Sequence, residues 1–447
     1  MSSFVLKKGF DIRLEGAAGK TLSSLSAPHL YALKPTDFPG LIPKLNVKPG
    51  DKVLAGTPLF HDKLRPDILF TSPVSGKVVA VNRGDRRSLL EVVVEKSGDE
   101  YIDFGKSDPE KANSEFIKKV LLISGLWPAV RQRPYHVIAN PADTPKSIFI
   151  SGFDTSPLAP DYNFVMSNSS SSFFTKGINA LKKLTAGKVH LILNNKDGSV
   201  MPEVSDADVS YFSGPHPAGN VGIHIHHMDP VSKGQVVWYV NFHDVLTIGR
   251  LFAEGRYNPE KIIALTGSEV IVPQYYKIKT GATISQIVRD NIKPGNVRYI
   301  SGNVLTGTKI PSDGFLGFYD NQVTVIPEGD YYEFFGWIKP GKDKFSFYKA
   351  FLSKFFPKKQ FRLDTNLHGG ERAFVLTGKY EQVVPMDIFP MQLCKAILAE
   401  DIDNMENLGI YEVADEDLAL CEYICPSKIE IQSIIRKGIS LMIKEMS

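Results

Sequence analysis

Between residues 35 and 95 the apolar side chains come in short β-branched runs broken by turn residues: Val47-Lys48-Pro49-Gly50-Asp51-Lys52-Val53, Gly56-Thr57-Pro58-Leu59-Phe60, and Ser72-Pro73-Val74-Ser75-Gly76-Lys77-Val78-Val79-Ala80-Val81. Strands this short, punctuated by Pro-Gly and Ser-Gly, predict a small all-β unit. From about residue 111 the period lengthens. Residues 115–122 and 173–181 carry helical apolar spacing, while 147–151 and 189–193 are continuous apolar runs of strand length. Strand, helix and strand then alternate as in a parallel α/β layer. Residues 261–325 return to short strands and many glycines around one helical stretch at 283–288, which predicts a helix laid across a small sheet. Beyond Met386, residues 392–400 and 428–444 are helical by spacing, so the chain should end in a helical bundle.

A length of 447 residues is too much for one compact core. Lys and Arg number 52 against 49 Asp and Glu, and 43% of residues are hydrophobic, which excludes a disordered chain and a strongly basic nucleic-acid binder. The three cysteines, Cys394, Cys421 and Cys425, cannot form a disulfide framework. The opening Met-Ser-Ser-Phe-Val-Leu-Lys-Lys lacks the apolar stretch of a signal peptide, and no apolar run approaches the roughly 20 residues that span a bilayer. A cytoplasmic fold that does not itself cross a membrane is expected.

Several clusters invite a chemical reading. Gly16-Ala17-Ala18-Gly19-Lys20-Thr21 has the end of a phosphate-binding loop, but Leu14 stands where its first glycine belongs, which favours a plain turn. Lys63 lies where a carrier domain presents its modified lysine; no Glu-Ala-Met-Lys text surrounds it. His216, His224, His226 and His227 are dense, and a period of two would place His224 and His226 on one strand face. Without a nearby cysteine they are expected to satisfy backbone groups rather than hold a metal. Residues 342–362 include eight charged residues of which only Asp343 is acidic, interleaved with Phe345, Phe347, Phe351, Phe355 and Phe356. Rings flanked by lysines fit a membrane interface or the headgroup side of an integral partner. Residues 400–422 hold nine acids and no Lys or Arg, the composition of a solvated surface that can also dock a basic partner. Cys421-Glu422-Tyr423-Ile424-Cys425-Pro426 matches the last third of a ferredoxin ligand run, yet the two preceding ligand positions are Asp415 and Leu418.

These segments carry resemblances. The first β unit resembles the barrel-sandwich hybrid of biotinyl and lipoyl carrier domains, and 261–330 resembles a soluble-ligand-binding (SLBB-like) β-grasp domain. Taken together, Lys7-Lys8-Gly9-Phe10-Asp11, Phe70-Thr71-Ser72-Pro73-Val74-Ser75-Gly76, Gly214-Pro215-His216-Pro217-Ala218-Gly219 and Gly336-Trp337-Ile338-Lys339-Pro340-Gly341 resemble the A-subunit family of the bacterial Na+-translocating NADH:quinone reductase (Na+-NQR). That family is similar in turn to the C subunit of the Rnf complex and to the flavin- and NADH-binding subunit of respiratory complex I. In those relatives a glycine-rich loop after the first helix of the α/β domain approaches flavin and nucleotide phosphates. The comparable stretch here is 124–134, where Trp127 and Pro128 would obstruct that approach.

The expected fold is therefore multidomain α+β and α/β: an N-terminal segment and barrel-sandwich hybrid over 1–104, a Rossmann-like α/β domain over 105–260, an SLBB-like β-grasp domain over 261–330, and over 331–447 the aromatic, basic segment with a helical ferredoxin-like remnant. The resemblance implies a peripheral subunit without a cofactor of its own, on the cytoplasmic side of the bacterial inner membrane, docked chiefly on the integral membrane B-subunit. FMN, FAD, riboflavin and iron–sulfur centres would lie in other subunits, quinone would be the substrate, and sodium would be exported. Trp127, Arg131 and Arg133 are the quinone-site candidates. Trp337, Phe351, Lys354, Phe355, Phe356, Lys358 and Lys359 are the candidate membrane or partner contacts. No residue is assigned as a catalytic group or a metal ligand, and no nucleic acid is expected as a partner. The alternatives are a carrier protein that swings a lipoylated or biotinylated Lys63 and a stand-alone flavin- or NADH-dependent oxidoreductase.

Overall fold

The computed structural model describes residues 2–24, 28–194, 201–202, 204–336, 338–375 and 377–446. The first β unit folds as two small antiparallel sheets. One contains Leu30–Leu33, Leu89–Gly98, Ser75–Arg83 and Lys52–Val53, and the other Pro43–Leu45, Pro58–Asp62 and Leu69–Thr71. The inward members of the apolar runs, Leu59, Phe60, Phe70, Val78 and Val92, fill the space between them.

The chain does not begin inside this barrel. Ser3–Val5 pairs in parallel with Asp208–Ser213 in the α/β layer, and Gly19–Ser23 pairs in parallel with Gln274–Lys279 in the third unit. The candidate phosphate loop thus runs into a strand, not a helix. Its residues extend a neighbouring sheet.

In the α/β layer the strands lie in the order Ser3–Val5, Asp208–Ser213, Lys188–Asn194, Ser147–Ser151 and Val237–Asn241, all parallel, followed by Val130–Arg133 antiparallel to them and Val137–Ile138 antiparallel to Val130–Arg133. Alternation along Ser147–Ser151 divides the core. Ile148 and Ile150 face the helices Ser171–Lys182 and Phe242–Glu254, whereas Phe149 faces the helix Val221–Met228 with Phe212 and Tyr239. The first two helices cross at glycines. A Cβ on Gly249 would lie 1.7 Å from the Phe173 carbonyl oxygen, and one on Gly177 would lie 2.1 Å from that of Val245. Each glycine lowers intrinsic helix stability by roughly 1 kcal/mol, and the close crossing it permits offsets that loss.

The third unit is a six-stranded sheet completed by Gly19–Ser23, with the single helical turn Ser285–Val288 packed on it through Ile287 and Val288. The C-terminal unit has its own core. The helices Pro390–Leu398, Ile402–Asn407, Ala419–Ile424 and Ile431–Met446 bury Leu393, Ile397, Leu420, Ile435 and Ile439 together with all three cysteines.

Candidate functional site: a filled crevice and an exposed aromatic segment

From Ser147–Ser151 the chain adds two parallel strands on one side of the sheet, then returns to place Val237–Asn241 on the other side. The connections leaving Ser151 and Asn241 therefore diverge, which makes the crevice at these strand ends the place where an open α/β sheet ordinarily holds a ligand. Here side chains of the sheet itself and of the third unit occupy it. Arg131 enters from the antiparallel strand and donates through Nη2 to Asn241 Oδ1 at 2.8 Å. Its guanidinium lies between the rings of Tyr239 and Tyr319, 4.6 and 4.2 Å from their centroids. Tyr319 comes from the third unit and donates its hydroxyl to the Pro128 carbonyl at 2.7 Å. Beside it the buried Lys261 donates to the Phe318 carbonyl at 2.6 Å, and burial lowers its pKa. Burial also raises the carboxyl of Asp37 to about 6, against the pull of Lys34.

Trp127 is wholly buried. Its Nε1 donates to the Ala139 carbonyl at 2.8 Å, and its ring meets Trp238 edge-on at 5.4 Å. The segment leading to it does not cradle an anion. The N–H groups of Gly125, Leu126, Ala129 and Val130 all donate to main-chain carbonyls of the same segment or the preceding helix. Gly125 has a φ of +74°, and a Cβ there would lie 2.3 Å from Thr71 Oγ1, so this backbone is pressed against the barrel.

Arg133 is also buried, and it reaches the C-terminal unit. It donates through Nη1 to Asp417 Oδ2 and through Nη2 to Glu416 Oε1, both at 2.9 Å. Burial opposes its charge, but Asp417 and Glu416 outweigh that, so its pKa stands above the ordinary arginine value. The turn after it places Tyr135 and His136 at φ values of +81° and +52°. Residues with side chains rarely adopt this conformation, and the buried contacts of His136 in the same layer hold the strained turn in place. Arg131 can only donate, and its Nη1 points at His136 Nε2 at 3.4 Å. A neutral imidazole therefore carries its proton on Nδ1, toward the Tyr239 hydroxyl at 3.1 Å. Burial and the two arginines keep the imidazole neutral, its pKa well below the usual value.

The sequence reading selected Trp127, Arg131 and Arg133, and the structure places Trp127 on the 3-10 turn Trp127–Ala129 and the two arginines on the antiparallel strand that follows it. It missed Tyr239, Tyr319, His136, Glu416 and Asp417, which complete the layer. Apart from His136, five positions from Arg131, these residues are reached across 103 to 284 positions, a range that leaves no local signal.

The second feature is the segment 331–362. Phe345 stacks on Phe10 at 5.2 Å, Phe347 meets Phe10 edge-on at 5.2 Å, and Arg13 lies over the rings of Phe345 and Phe361. Arg13 Nη1 also donates to the Phe356 carbonyl at 3.0 Å. With the inner rings so anchored, others point outward: Tyr332 is 104% exposed, Phe334 83% and Phe355 66%, and Phe356 is exposed as well. Lys354 and Lys358 are exposed, while Phe351 and Lys359 are half-buried and Lys359 pairs with Asp343. Trp337 lies outside the described residues.

The remaining clusters are structural. His224, His226 and His227 stand on the helix Val221–Met228 rather than on a strand, a correction that follows from the apolar residues around them, since Val221 and Ile225 pack toward the sheet while Ile223 enters the C-terminal core. His224 Nε2 lies 2.8 Å from the Ala218 carbonyl and His227 Nε2 lies 2.9 Å from that of Pro385, while His226 Nδ1 lies 2.6 Å from Glu412 Oε2. Six of the nine acids in the run 400–422 are engaged within the chain. Glu400, Glu406, Glu412, Asp415, Glu416 and Asp417 pair with Lys437, Lys233, His226, Arg436 and Arg133 of this chain. Lys63 is exposed on the turn after Pro58–Asp62. The three cysteines are buried, and among the described residues no group of three His, Cys, Asp or Glu side chains is placed to hold a metal ion.

Three family profiles match: the NqrA N-terminal barrel-sandwich hybrid domain over residues 4–97, the NqrA second alpha/beta domain over 112–257 and the NQRA C-terminal domain over 262–312. The A-subunit of the Na(+)-translocating NADH-quinone reductase from Yersinia pseudotuberculosis is 42% identical over 437 residues, 96% of this chain and 97% of that one. The proteins of the same name from Pasteurella multocida and Haemophilus influenzae are each 39% identical over 98% of this chain and 99% of theirs. A solved NAD+-reducing [NiFe]-hydrogenase covers 75% of this chain and 62% of its own at a TM-score of 0.41 and 12% identity, a likeness too slight to bear on function.

Proposed function

Because this chain belongs to the A-subunit family of the Na(+)-translocating NADH-quinone reductases, an oxidoreductase complex, we propose that it is the complex's peripheral, cofactor-free scaffold and docks through residues 331–362. The observation that carries the reading is the outward aromatic segment on a chain in which, among the described residues, no helix is long and apolar enough to cross a membrane. A helical ferredoxin-like remnant anchors that segment at the cytoplasmic side of the inner membrane, against the integral B-subunit.

What supports the cofactor-free reading is positive packing. The sheet's ligand crevice holds Arg131 between two tyrosines, and in the loop that would meet a flavin the amides of Gly125, Leu126, Ala129 and Val130 are bonded within the chain. Electrons would then run from NADH to quinone through flavins and iron–sulfur centres of other subunits, coupled to sodium export. Quinone contact by Trp127, Arg131 and Arg133 belongs to the same proposal. Trp127 has its indole N–H committed, whereas the buried Nε of Arg131 and of Arg133 has no partner among the described groups, and these two N–H groups are the donors a quinone carbonyl would take. Arg131 is held between Tyr239 and Tyr319 and Arg133 lies over Tyr239, both buried, so binding belongs to the assembled complex.

The test is a photoreactive quinone applied to the chain alone and to the complex. Labelling of the 127–133 segment only in the complex is the expected result. Labelling confined to other subunits removes the quinone role, and a stoichiometric flavin or iron–sulfur absorbance in the purified chain removes the cofactor-free role.

A further inference from the structure

Four lysines of the aromatic segment, Lys342, Lys349, Lys354 and Lys358, are exposed and enter no ion pair among the described residues, although Lys339, Lys344 and Lys359 next to them do. They alternate with the exposed rings of Tyr348, Phe355 and Phe356, and Lys354 Nζ stands 5.1 Å from the Phe355 ring centroid. Earlier in the segment Tyr332, Phe334 and Ile338 project at 104%, 83% and 67% exposure. Phe334 packs on Phe335 at 4.4 Å, Phe355 ends the short 3-10 turn Leu352–Phe355, and no strand or α-helix lies between residues 328 and 379 among the described residues.

We infer that this segment binds the anionic phospholipid surface directly. The inference rests on the reading of 331–362 as the docking face and names what that face touches. A fixed protein partner with placed carboxylates is best met by the planar fork of arginine, which supplies two bonds in one plane. The unpaired cations here are lysines, compact point charges on flexible stems that follow mobile phosphate headgroups while their methylenes and the neighbouring rings enter the interfacial layer. The charge is complementary as well, since the only carboxylates within 331–362 are Glu333 and Asp343, and both are taken by Lys339, Lys344 and Lys359. Net positive charge therefore faces outward along the rings. Beneath them Phe345, Phe347 and Phe361 are locked against Phe10 and Arg13, so the exposed rings have a rigid base.

The experiment is flotation of the full-length chain with vesicles of phosphatidylcholine alone and of phosphatidylcholine mixed with phosphatidylglycerol, at low and high salt. In parallel the chain is added to detergent-solubilised complex from which this subunit has been stripped. Flotation only with the anionic vesicles, weakened by salt, is expected. The Lys349→Gln, Lys354→Gln, Lys358→Gln triple variant should reduce partitioning by roughly fivefold per lysine, about a hundredfold in all. Phe334→Ser with Phe355→Ser should reduce it at unchanged salt dependence, and a wild-type circular dichroism melt establishes that each variant is folded. Failure to float together with normal rebinding to stripped complex overturns the lipid contact and leaves the docking reading standing. Failure of both overturns the docking reading too. Flotation unaffected by the lysine substitutions overturns the assignment to this segment.

Discussion

Arg133 Nη1 donates to Asp417 Oδ2 at 2.9 Å across 284 positions of sequence, and neither side chain reaches solvent. Asp417 Oδ2 also accepts the Ala414 N–H at 2.9 Å, so the same carboxylate fixes the start of the helical segment that leads to Cys421. Replacing Arg133 by Ala leaves a buried carboxylate without its cation, a change that costs about 3–5 kcal/mol. Chemical denaturation should show that loss, and Arg133→Lys should recover only part of it because one ammonium cannot bond Asp417 and Glu416 in the same plane. A loss below about 1 kcal/mol, the range of exposed pairs, would mean the pair is solvated.

The glycine crossing predicts a second, independent loss. Gly249→Ala places a methyl 1.7 Å from the Phe173 carbonyl oxygen, so the helices Ser171–Lys182 and Phe242–Glu254 have to separate. Overpacking of this kind costs about 3 kcal/mol, well beyond the gain in helix propensity. Gly370→Ala serves as the control, since nothing lies within 4 Å of a Cβ there and its expected effect stays within about 0.5 kcal/mol. Equal melting temperatures for the two variants would refute the close crossing.

What the sequence made legible follows from the range of the forces involved. The helices over 115–122, 173–181 and 392–400 were readable because burial of one face imposes a local period, and they fold as Ser114–Ile123, Ser171–Lys182 and Pro390–Leu398. The strand Ser3–Val5 was not, because its partner lies 208 positions away in Tyr211 and three residues carry no periodicity. The histidine helix misled for a related reason: over eight residues alternating Ile and His satisfies a period of two as well as one helical face. At the crevice, Trp127, Arg131 and Arg133 stood out by residue type. Tyr239, Tyr319 and Asp417 join them only through tertiary packing, and so could not. The acidic run shows the limit of composition, since six of its nine carboxylates pair with basic side chains brought from 173 or more positions upstream, as with Lys233 and Glu406, or from the C-terminal helix.

The buried histidines give a signed pH dependence. His224 packs between Phe212 and Phe153, and burial holds its pKa down to about 3 against the ordinary 6.5. A depressed histidine stays neutral in the folded chain, so its contribution is complete above pH 6.5, where the unfolded chain is neutral too. It is lost as pH falls from 6.5 toward 3, because only the unfolded chain takes up the proton. Asp37, raised to about 6, works in the opposite direction over part of that range, so the measurement has to be differential. His224→Phe should be less stable than the wild type at pH 7.5, having lost the bond to the Ala218 carbonyl. The gap should close by about 1.4 kcal/mol per pH unit below 6.5. Urea denaturation at pH 7.5 and 5 checks this, and a gap independent of pH would mean that His224 titrates normally in the folded chain.

The thiols provide the last prediction. Cys394, Cys421 and Cys425 are all buried, and the Tyr380 hydroxyl donates to Cys425 Sγ at 2.9 Å. Burial raises the Cys394 thiol to about 12 and Cys421 well above its ordinary value, so the thiolate that reacts with disulfide reagents is scarce and unreachable. An aromatic disulfide reagent should therefore label none of the three in the native chain at neutral pH and all three after denaturation. The rate of labelling in the native chain should follow the unfolding of the C-terminal helices, since these residues lie in their core with Leu393 and Leu420. Arg133→Ala should accelerate it, because Asp417 sits one residue before the segment Leu418 to Cys421 and loses the cation that holds it. Rapid labelling of even one cysteine in the folded wild type would show that this core opens without the helices coming apart, and would make that cysteine a reactive group instead of a packing one.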